Sequence, residues 1–97
     1  MGFVGSKHLV TTGDGYEVPT AAVWGPLAHV KPGDDVLECS MFMYCVDTVP
    51  GGRISAYKNI VTRRYLFLDD TGDAYTYGGS GNYTLVPLEV ALKHYIS

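Results

Sequence analysis

Short hydrophobic runs alternate with turn-forming residues along this chain. Clusters rich in Gly, Pro and Asp occur at residues 13–15, 31–34, 50–52, 69–73 and 78–82. Most of the runs between these clusters are rich in β-branched and aromatic residues, which favour strands. Turn signals at short intervals between β-forming runs are typical of antiparallel meanders, barrels and sandwiches.

The runs themselves predict short strands. We expect them at His8–Thr12, Tyr16–Trp24, Val36–Asp47, Ile54–Asn59, Val61–Leu68 and Tyr83–Val86. Pro19 cannot donate a ladder hydrogen bond, so part of the second strand should lie at an edge or a bulge. The parity of apolar positions changes near Asn59, which predicts a bulge or a bend there.

The segment Val36–Asp47 carries the strongest strand pattern. Its odd-numbered positions are all apolar, and they are Leu37, Cys39, Met41, Met43 and Cys45. Because alternate side chains of a strand point to opposite faces, we expect this set to face the core. The other face then ends in a half-exposed patch formed by Phe42, Tyr44 and Val46.

Residues Tyr65–Tyr77 form the clearest hairpin, with Asp69–Asp73 as its loop. If Leu66 and Leu68 point inward, Arg63, Tyr65 and Phe67 point outward. We then expect Tyr75 and Tyr77, on the partner strand, to lie across from Phe67 and Tyr65.

The C-terminal segment changes period. Pro87 is suited to opening a helix, in which Leu88, Ala91, Leu92, Tyr95 and Ile96 follow helical spacing. Glu89 near the start and Lys93 and His94 near the end match the helix dipole. We therefore predict one C-terminal helix that lies across the sheet.

The segment from His29 to Val36 contains the turn sequence Lys31-Pro32-Gly33-Asp34. It resembles the tight turn that enters a strand in many SH3-like barrels. The expected fold is mainly β, as one domain spanning residues 1–97. It is a small antiparallel barrel, SH3-like, or a sandwich of about five to seven short strands with one C-terminal helix.

Composition supports a folded chain and argues against some partners. Hydrophobic residues make up 46% of the 97 residues and charged residues 18%, which is enough apolar surface for a core. The net charge of −3 gives no long-range attraction to nucleic acid or to an anionic membrane. The apolar runs are far shorter than the roughly 20 residues of a membrane-spanning helix, so we expect no membrane span.

The cysteines and the N-terminal residues bear on location. Cys39 and Cys45 lie in a predicted strand, where six steps separate them by roughly 20 Å, too far for a disulfide. Free thiols indicate a reducing compartment. Residues 1–10 lack the charged start and apolar run of a signal peptide, so we predict a cytoplasmic protein.

No motif indicates catalysis, a metal or a cofactor. Cys39 and Cys45 have no signature that places a histidine beside them, and paired zinc-ligand spacing is absent. The acidic loop Asp69–Asp73 lacks the distal glutamate of a calcium loop. The Gly-rich residues 78–81 lack the lysine and the helix of a phosphate loop. We expect no cofactor and no catalytic residue.

The aromatic and basic residues around the predicted hairpin form the most suggestive surface. Candidate partner-binding residues are Tyr57, Arg63, Arg64, Tyr65, Phe67, Tyr75 and Tyr77, with Lys58 beside them. Arginine and tyrosine are enriched at protein-binding hot spots, and the same mixture also binds single-stranded nucleic acid. The competing interpretation is that half of these rings belong to the core.

The first functional hypothesis is a non-catalytic module that binds a larger protein through this aromatic, arginine-containing sheet face. It would be a small accessory or inhibitory protein that also self-associates as a homo-oligomer. Its small size and lack of a catalytic signature resemble accessory proteins of bacteriophages. The alternative is a nucleic-acid-binding small β-barrel, and the third hypothesis is an enzyme of unknown class.

Overall fold

The chain is mainly β, as the sequence predicts, in the part that the computed structural model describes, which is residues 8–17, 22–49, 52–79 and 81–97. Its strands are β1 (His8–Glu17), β2 (Ser40–Val49), β3 (Arg53–Asn59), β4 (Tyr65–Asp69), β5 (Ala74–Gly79) and β6 (Asn82–Val86). Its helices are α1 (Gly25–His29), α2 (Asp34–Glu38) and α3 (Leu88–Ile96).

The strands form an antiparallel barrel in which neighbours in sequence are neighbours in the sheet. β1 pairs with β2 and also with β6, which brings the sheet back to its first strand. Two of the seams, the pairings between neighbouring strands, are short. Three residue pairs join β1 to β6 and two join β4 to β5. Of the two architectures that the sequence predicts, the chain therefore adopts the barrel, in a loosely joined form.

The buried residues divide into two clusters on opposite faces of the sheet. The lumen cluster comes from strands alone and consists of Val46, Ile54, Ala56, Phe67, Tyr75 and Tyr83. The helix-side cluster joins the outer face of β3, β4 and β5 to the helices, and consists of Leu27, Tyr57, Leu66, Leu68, Ala74, Ala91 and Tyr95. The central strands are therefore buried on both faces.

This double burial decides where the hairpin residues point. Leu66 and Leu68 are buried as predicted, but they pack under the helices. Tyr65 and Phe67 pack against the lumen, so the prediction that they point outward is wrong. The predicted pairing of Phe67 with Tyr75 across the hairpin is confirmed, and the predicted pairing of Tyr65 with Tyr77 is wrong, because the two strands separate there and Tyr77 pairs with Tyr83.

Two short helices replace what the sequence suggests is a turn and a strand. The strand predicted to begin at Val36 begins at Ser40, because α2 occupies the preceding residues. Gly33 precedes α2 with φ of 102°, a conformation that favours glycine, and Asp34 and Asp35 in the first turn complement the helix dipole. The resemblance to a turn that enters a strand of an SH3-like barrel therefore does not hold here.

A bulge changes the parity of β2. Phe42 pairs with Tyr57 and Tyr44 with the adjacent Ala56, so the register shifts at Met43. Met41 is consequently 46% exposed and Cys45 is 1% exposed. The prediction that all odd-numbered positions face the core is correct for Cys45 and wrong for Met41, because a bulge inserts one residue into the alternation.

The exposure of Met41 yields a first prediction. Met41→Asp is expected to leave the domain folded, with a change of about 1 kcal/mol or less in the free energy of unfolding, because the new carboxylate stays in water. Cys45→Asp is expected to unfold it, because that carboxylate would be buried without a partner. Urea denaturation followed by circular dichroism measures both, and an unfolded Met41→Asp variant would contradict this placement.

The N-terminal and β3–β4 predictions need two further corrections. β1 runs from His8 to Glu17, with its register shift between Thr11 and Tyr16, so the glycines at 13–15 accompany a bulge and not a turn. Residues 22–24 are not strand, and the proposed edge at Pro19 lies outside the described residues. The change of parity near Asn59 marks the end of β3, and a loop at residues 60–64 replaces the start of the strand predicted from Val61.

The predicted C-terminal helix is confirmed. α3 begins directly after Pro87, and it buries Ala91 and Tyr95 against the outer face of the sheet. Its last turn carries Lys93 and His94, as the dipole argument requires. The described residues include no helix with the length and apolar character needed to cross a bilayer.

Candidate protein-binding site

β4 and β5 separate beyond their two paired positions. They pair at Phe67–Tyr75 and at Leu68–Ala74. Tyr65 and Leu66 pair on their other side with β3, while Thr76 and Tyr77 pair with β6. A gap therefore opens between the two strands at the end of the barrel where β4 begins.

A cavity of about 430 Å³ occupies this gap, and we call it the seam pocket. Residues of β4, β5, β6 and α3 line it, and they are Tyr65, Leu66, Phe67, Tyr75, Thr76, Tyr77, Val86, Val90, Ala91 and His94. Val90 and Tyr77 are about half exposed, so the pocket communicates with solvent. Its position follows from the short β4–β5 seam and from α3 crossing that seam on the outside.

Aromatic rings form one wall of the seam pocket. Tyr65 stacks on Phe67 with ring centroids 5.7 Å apart, and Phe67 lies 6.2 Å from Tyr77. Tyr77 in turn contacts Tyr83 at 5.0 Å, and its hydroxyl oxygen accepts a hydrogen bond from the backbone N–H of Gly81. The partly exposed tyrosines are thus fixed by their neighbours, which lowers the entropy cost of binding to them.

Basic groups stand at the rim of the seam pocket. Arg64 Nη1 lies 3.5 Å from Nε2 of His94. Lys58 Nζ lies 5.8 Å from the centroid of the Tyr65 ring, within the range of a cation–π contact. None of the carboxylates that the structure describes forms an ion pair with Arg63, Arg64 or Lys58.

The loop at residues 60–64 lies beside these groups, and we call it the tip loop. Asn59 organises it. The side-chain oxygen of Asn59 accepts hydrogen bonds from the backbone N–H groups of Val61 and Thr62, at 2.8 and 3.0 Å. Its backbone N–H donates to the carbonyl of Arg64, and its carbonyl accepts from the N–H of Arg63. These four bonds close the loop on one residue.

Two further bonds tie the tip loop to the helices. The backbone N–H of Ile60 donates to the carbonyl of Cys39 at 2.8 Å, and the hydroxyl of Thr62 donates to the carbonyl of Tyr95 at 2.7 Å. Arg63 has φ of 65°, a left-handed conformation that costs a non-glycine residue about 1 kcal/mol. The surrounding bonds hold it there.

The tip loop displays apolar side chains to solvent. Val61 is 73% exposed and Ile60 is 50% exposed, beside the exposed Arg63 and Arg64. Arginine is enriched at protein-binding hot spots whereas valine is under-represented there, so Arg63 and Arg64 are the residues of the loop that match a hot spot.

Charge is distributed unevenly between the two ends of the barrel. The end that carries the tip loop holds Lys58, Arg63, Arg64, Lys93 and His94, with Glu38 as the exception among the described side chains. The opposite end, with the β2–β3 and β4–β5 turns, holds Asp47, Asp69, Asp70, Asp73 and Glu89, together with Arg53, which pairs with Asp47, and His29, which lies beside Gly72. The chain is acidic overall, yet its tip end is locally basic and suits an acidic partner.

The structure brings together only part of the predicted partner-binding set. Arg63, Arg64 and Tyr77 are exposed and Tyr65 is half-buried, and all four lie around the tip loop and the seam pocket. Phe67 and Tyr75 are buried in the lumen cluster, although both reach the pocket wall. Their burial means that the predicted residues do not form one continuous exposed aromatic face.

Tyr57 lies elsewhere. It is 0% exposed in the helix-side cluster, its hydroxyl donates to the carbonyl of Val23 at 2.7 Å, and its ring stacks on Trp24. Burial, opposed by smaller hydrogen-bond effects, raises the pKa of Tyr57 to about 12. Its role is packing, and the interpretation of part of the set as core is correct for this residue.

Sequence reasoning missed four contributors to the site, namely Ile60, Val61, Val90 and His94. In the sequence, Ile60 lies between two predicted strands and Val61 begins the second of them. Their actual signal is an apolar pair between Asn59 and two arginines, where a turn would ordinarily be polar. Val90 falls on the otherwise polar face of α3, which is also readable from the helical period.

The cysteines and histidines of the described residues do not form a second candidate site. Cys39 and Cys45 are free, as predicted, and Cys45 is buried with its Sγ 3.6 Å from the hydroxyl of Ser55. No hydrogen bond joins either cysteine to His29 or His94, the histidines whose side chains the structure describes. Within the described residues, no group of three or more metal-ligating side chains comes together.

Comparison with known proteins returns no matching family model, no matching curated protein and no matching solved structure.

Proposed function

We propose that this protein is a non-catalytic protein-binding module, a small accessory or inhibitory protein that binds a larger partner through the tip loop and the adjoining seam pocket. The observation that carries the proposal is the tip loop, in which seven hydrogen bonds hold two exposed apolar residues and two arginines in place. A surface that is already ordered loses little entropy on binding.

The tip loop contains features that do not stabilise the fold. Folding alone gains nothing from exposing Val61 and Ile60, and it pays for the left-handed Arg63. Strained residues and exposed apolar side chains cluster at functional sites. Both features on one loop favour a contact surface.

The proposal is tested with a double variant, Val61→Asp with Arg63→Ala. It places a charge at the centre of the surface and removes one arginine. The wild-type protein, the double variant and a control are each immobilised and exposed to extract from the source cells, and captured proteins are identified and then purified. Glu89→Ala is the matched control, because it is an exposed position at the opposite end.

Binding of the purified partner is expected to weaken by about 2–4 kcal/mol in the double variant, the range for central interface residues, and to be unchanged in the control. Circular dichroism should show the same fold for all three proteins. A partner that binds the double variant as tightly as wild type would refute the use of the tip loop.

A nucleic-acid partner is the second candidate, because the basic residues and Tyr77 lie at one end of the barrel. Salt distinguishes the two. Raising the salt concentration from about 50 mM to about 200 mM should weaken binding to phosphates by orders of magnitude, because the logarithm of the binding constant falls against the logarithm of the salt concentration with a slope of about −0.9 per phosphate contact in duplex DNA. The same change should weaken apolar protein contacts little. An enzymatic role is the third candidate and has no support from the described side chains.

We place this function in the cytoplasm, because two unpaired thiols are compatible with a reducing compartment. Self-association and a bacteriophage origin stay predictions from the sequence.

A further inference from the structure

The seam pocket is large for a packing defect. Protein interiors leave few voids larger than a water molecule, whereas ligand pockets measure about 300–1,000 Å³. At about 430 Å³, the seam pocket is at the lower end of that ligand-binding range. It has room for one large side chain and its neighbouring backbone.

The pocket walls determine which side chain fits. Leu66, Val86, Val90 and Ala91 supply aliphatic surface, and the tyrosine and phenylalanine rings supply aromatic surface. Because most of the lining is apolar, a polar group in the pocket would lose water and gain few hydrogen-bond partners. An aromatic or large aliphatic side chain is therefore the favoured occupant.

The rim of the seam pocket determines which partner group lies next to the side chain that fills the pocket. Arg64 Nη1 donates a hydrogen bond to Nε2 of His94 across 3.5 Å, because a guanidinium has no acceptor, and its positive charge has no carboxylate beside it among the described residues. A carboxylate can accept from both arms of a guanidinium, which makes a short and strong contact. Lys58 adds a second positive charge on the same side.

From these observations we infer that the seam pocket receives a large apolar side chain of the protein partner, and that Arg64, oriented by its hydrogen bond to His94, binds a carboxylate adjacent to that side chain in the partner sequence. This inference rests on the proposed function, and it names the partner chemistry as an acidic segment with an apolar anchor. Arg64 belongs to both the tip loop and the pocket rim, so one partner segment contacts both.

Short peptides test the inference without the natural partner. Three capped pentapeptides are titrated into the ¹⁵N-labelled protein: Gly-Asp-Phe-Asp-Gly, its basic analogue Gly-Lys-Phe-Lys-Gly, and Gly-Asp-Gly-Asp-Gly, which lacks the anchor. The acidic peptide with phenylalanine is expected to shift the amide signals of Thr76, Tyr77, Val90 and His94. The other two are expected to bind at least about tenfold more weakly, because each lacks one of the two contacts.

Two pairs of variants locate the contacts. Arg64→Ala is expected to weaken binding of the acidic peptide about tenfold, whereas Arg53→Ala removes the same kind of charge at the opposite end of the barrel and should change binding little. Thr76→Phe fills the pocket from an exposed position and should abolish binding, whereas the isosteric Thr76→Val should retain it. Val90→Phe repeats the test from α3.

Any one of three binding results would overturn the inference, and so would a lack of binding. The three binding results are equal binding of the basic peptide, equal binding of the peptide without phenylalanine, or shifts that avoid the pocket residues. Absence of any shift by the acidic peptide at millimolar concentration also overturns it. None of these results affects capture of a partner by the tip loop, which the double variant Val61→Asp with Arg63→Ala tests separately, so a failure of this inference is distinguishable from a failure of the proposed function.

Discussion

Replacing Asp69 with alanine is expected to destabilise the protein by roughly 2–4 kcal/mol, because the carboxylate is the centre of the β4–β5 turn. Its Oδ1 accepts hydrogen bonds from the backbone N–H and hydroxyl of Thr71, at 2.9 and 2.6 Å, and from the N–H of Asp73 at 3.0 Å. Its Oδ2 accepts from the hydroxyl of Tyr75 at 2.7 Å. Alanine leaves these donors without their acceptor in a seam that has only two paired positions.

Two control variants show how much of this loss of stability comes from the hydrogen bonds of Asp69. Asp69→Asn keeps one carbonyl oxygen and should cost less than alanine, because three of the four donors retain an acceptor. Asp70→Ala removes the neighbouring exposed carboxylate and should change stability by about 0.5 kcal/mol or less. Urea denaturation at neutral pH measures all three, and an Asp69→Ala variant as stable as Asp70→Ala would contradict the assigned role.

The same carboxylate makes stability depend on pH. Burial raises the pKa of Asp69, but the hydrogen bonds from Thr71, Tyr75 and Asp73 lower it more, so the pKa falls below its ordinary value of 3.8. A lowered pKa stabilises the folded state above the unfolded value and loses that contribution as pH falls through the folded value. The difference in stability between wild type and Asp69→Ala should therefore be constant above about pH 5 and shrink below about pH 4.

The hairpin that Asp69 closes is also the element that the sequence predicts best. The loop Asp69–Asp73 and the pairing of Phe67 with Tyr75 follow from residues that are close in sequence, so turn chemistry and alternation suffice. The C-terminal helix is predictable for the same reason, since its period and its charges are local.

The faces of the strands could not be predicted in the same way. Alternation tells two faces apart only when one is buried and the other is in water, and β3 and β4 are buried on both. What covers the second face is α1, α2 and α3, which come from residues far away in sequence. The bulge at Met43 then shifts the alternation within β2, where no glycine announces it.

The candidate site also combines features that local sequence predicts with features that depend on contacts between residues far apart in sequence. Arg63, Arg64, Tyr65 and Tyr77 are identifiable from the sequence around the hairpin. His94 is some thirty residues from Arg64, and only the packing of α3 brings their nitrogens together. The pocket itself depends on where β4 and β5 stop pairing, which no local pattern specifies.

Tyr95 joins the core to the tip loop, and Tyr95→Ala is expected to disrupt both. The side chain is 0% exposed, and its hydroxyl donates to Ser40 at 2.7 Å. Its backbone carbonyl accepts the bond from Thr62 that anchors the tip loop. Removing the ring should cost about 3–5 kcal/mol, since a large cavity forms in the helix-side cluster. It should also shift the last turn of α3, and with it the amide signals of Val61 and Thr62.

Tyr95→Phe separates packing from hydrogen bonding at this position. The ring remains and the bond to Ser40 is lost, so the expected cost is about 1 kcal/mol, and Ser40 keeps its own bond to the carbonyl of Val36 at 2.7 Å. Because the ring positions α3, the tip-loop amide signals and partner binding should match wild type. Urea denaturation and ¹⁵N correlation spectra measure both quantities. If Tyr95→Phe is as damaging as alanine, the hydroxyl network and not the ring holds the helix. If Tyr95→Ala leaves the tip-loop signals unchanged, the loop is ordered by Asn59 alone and does not depend on the helix-side core.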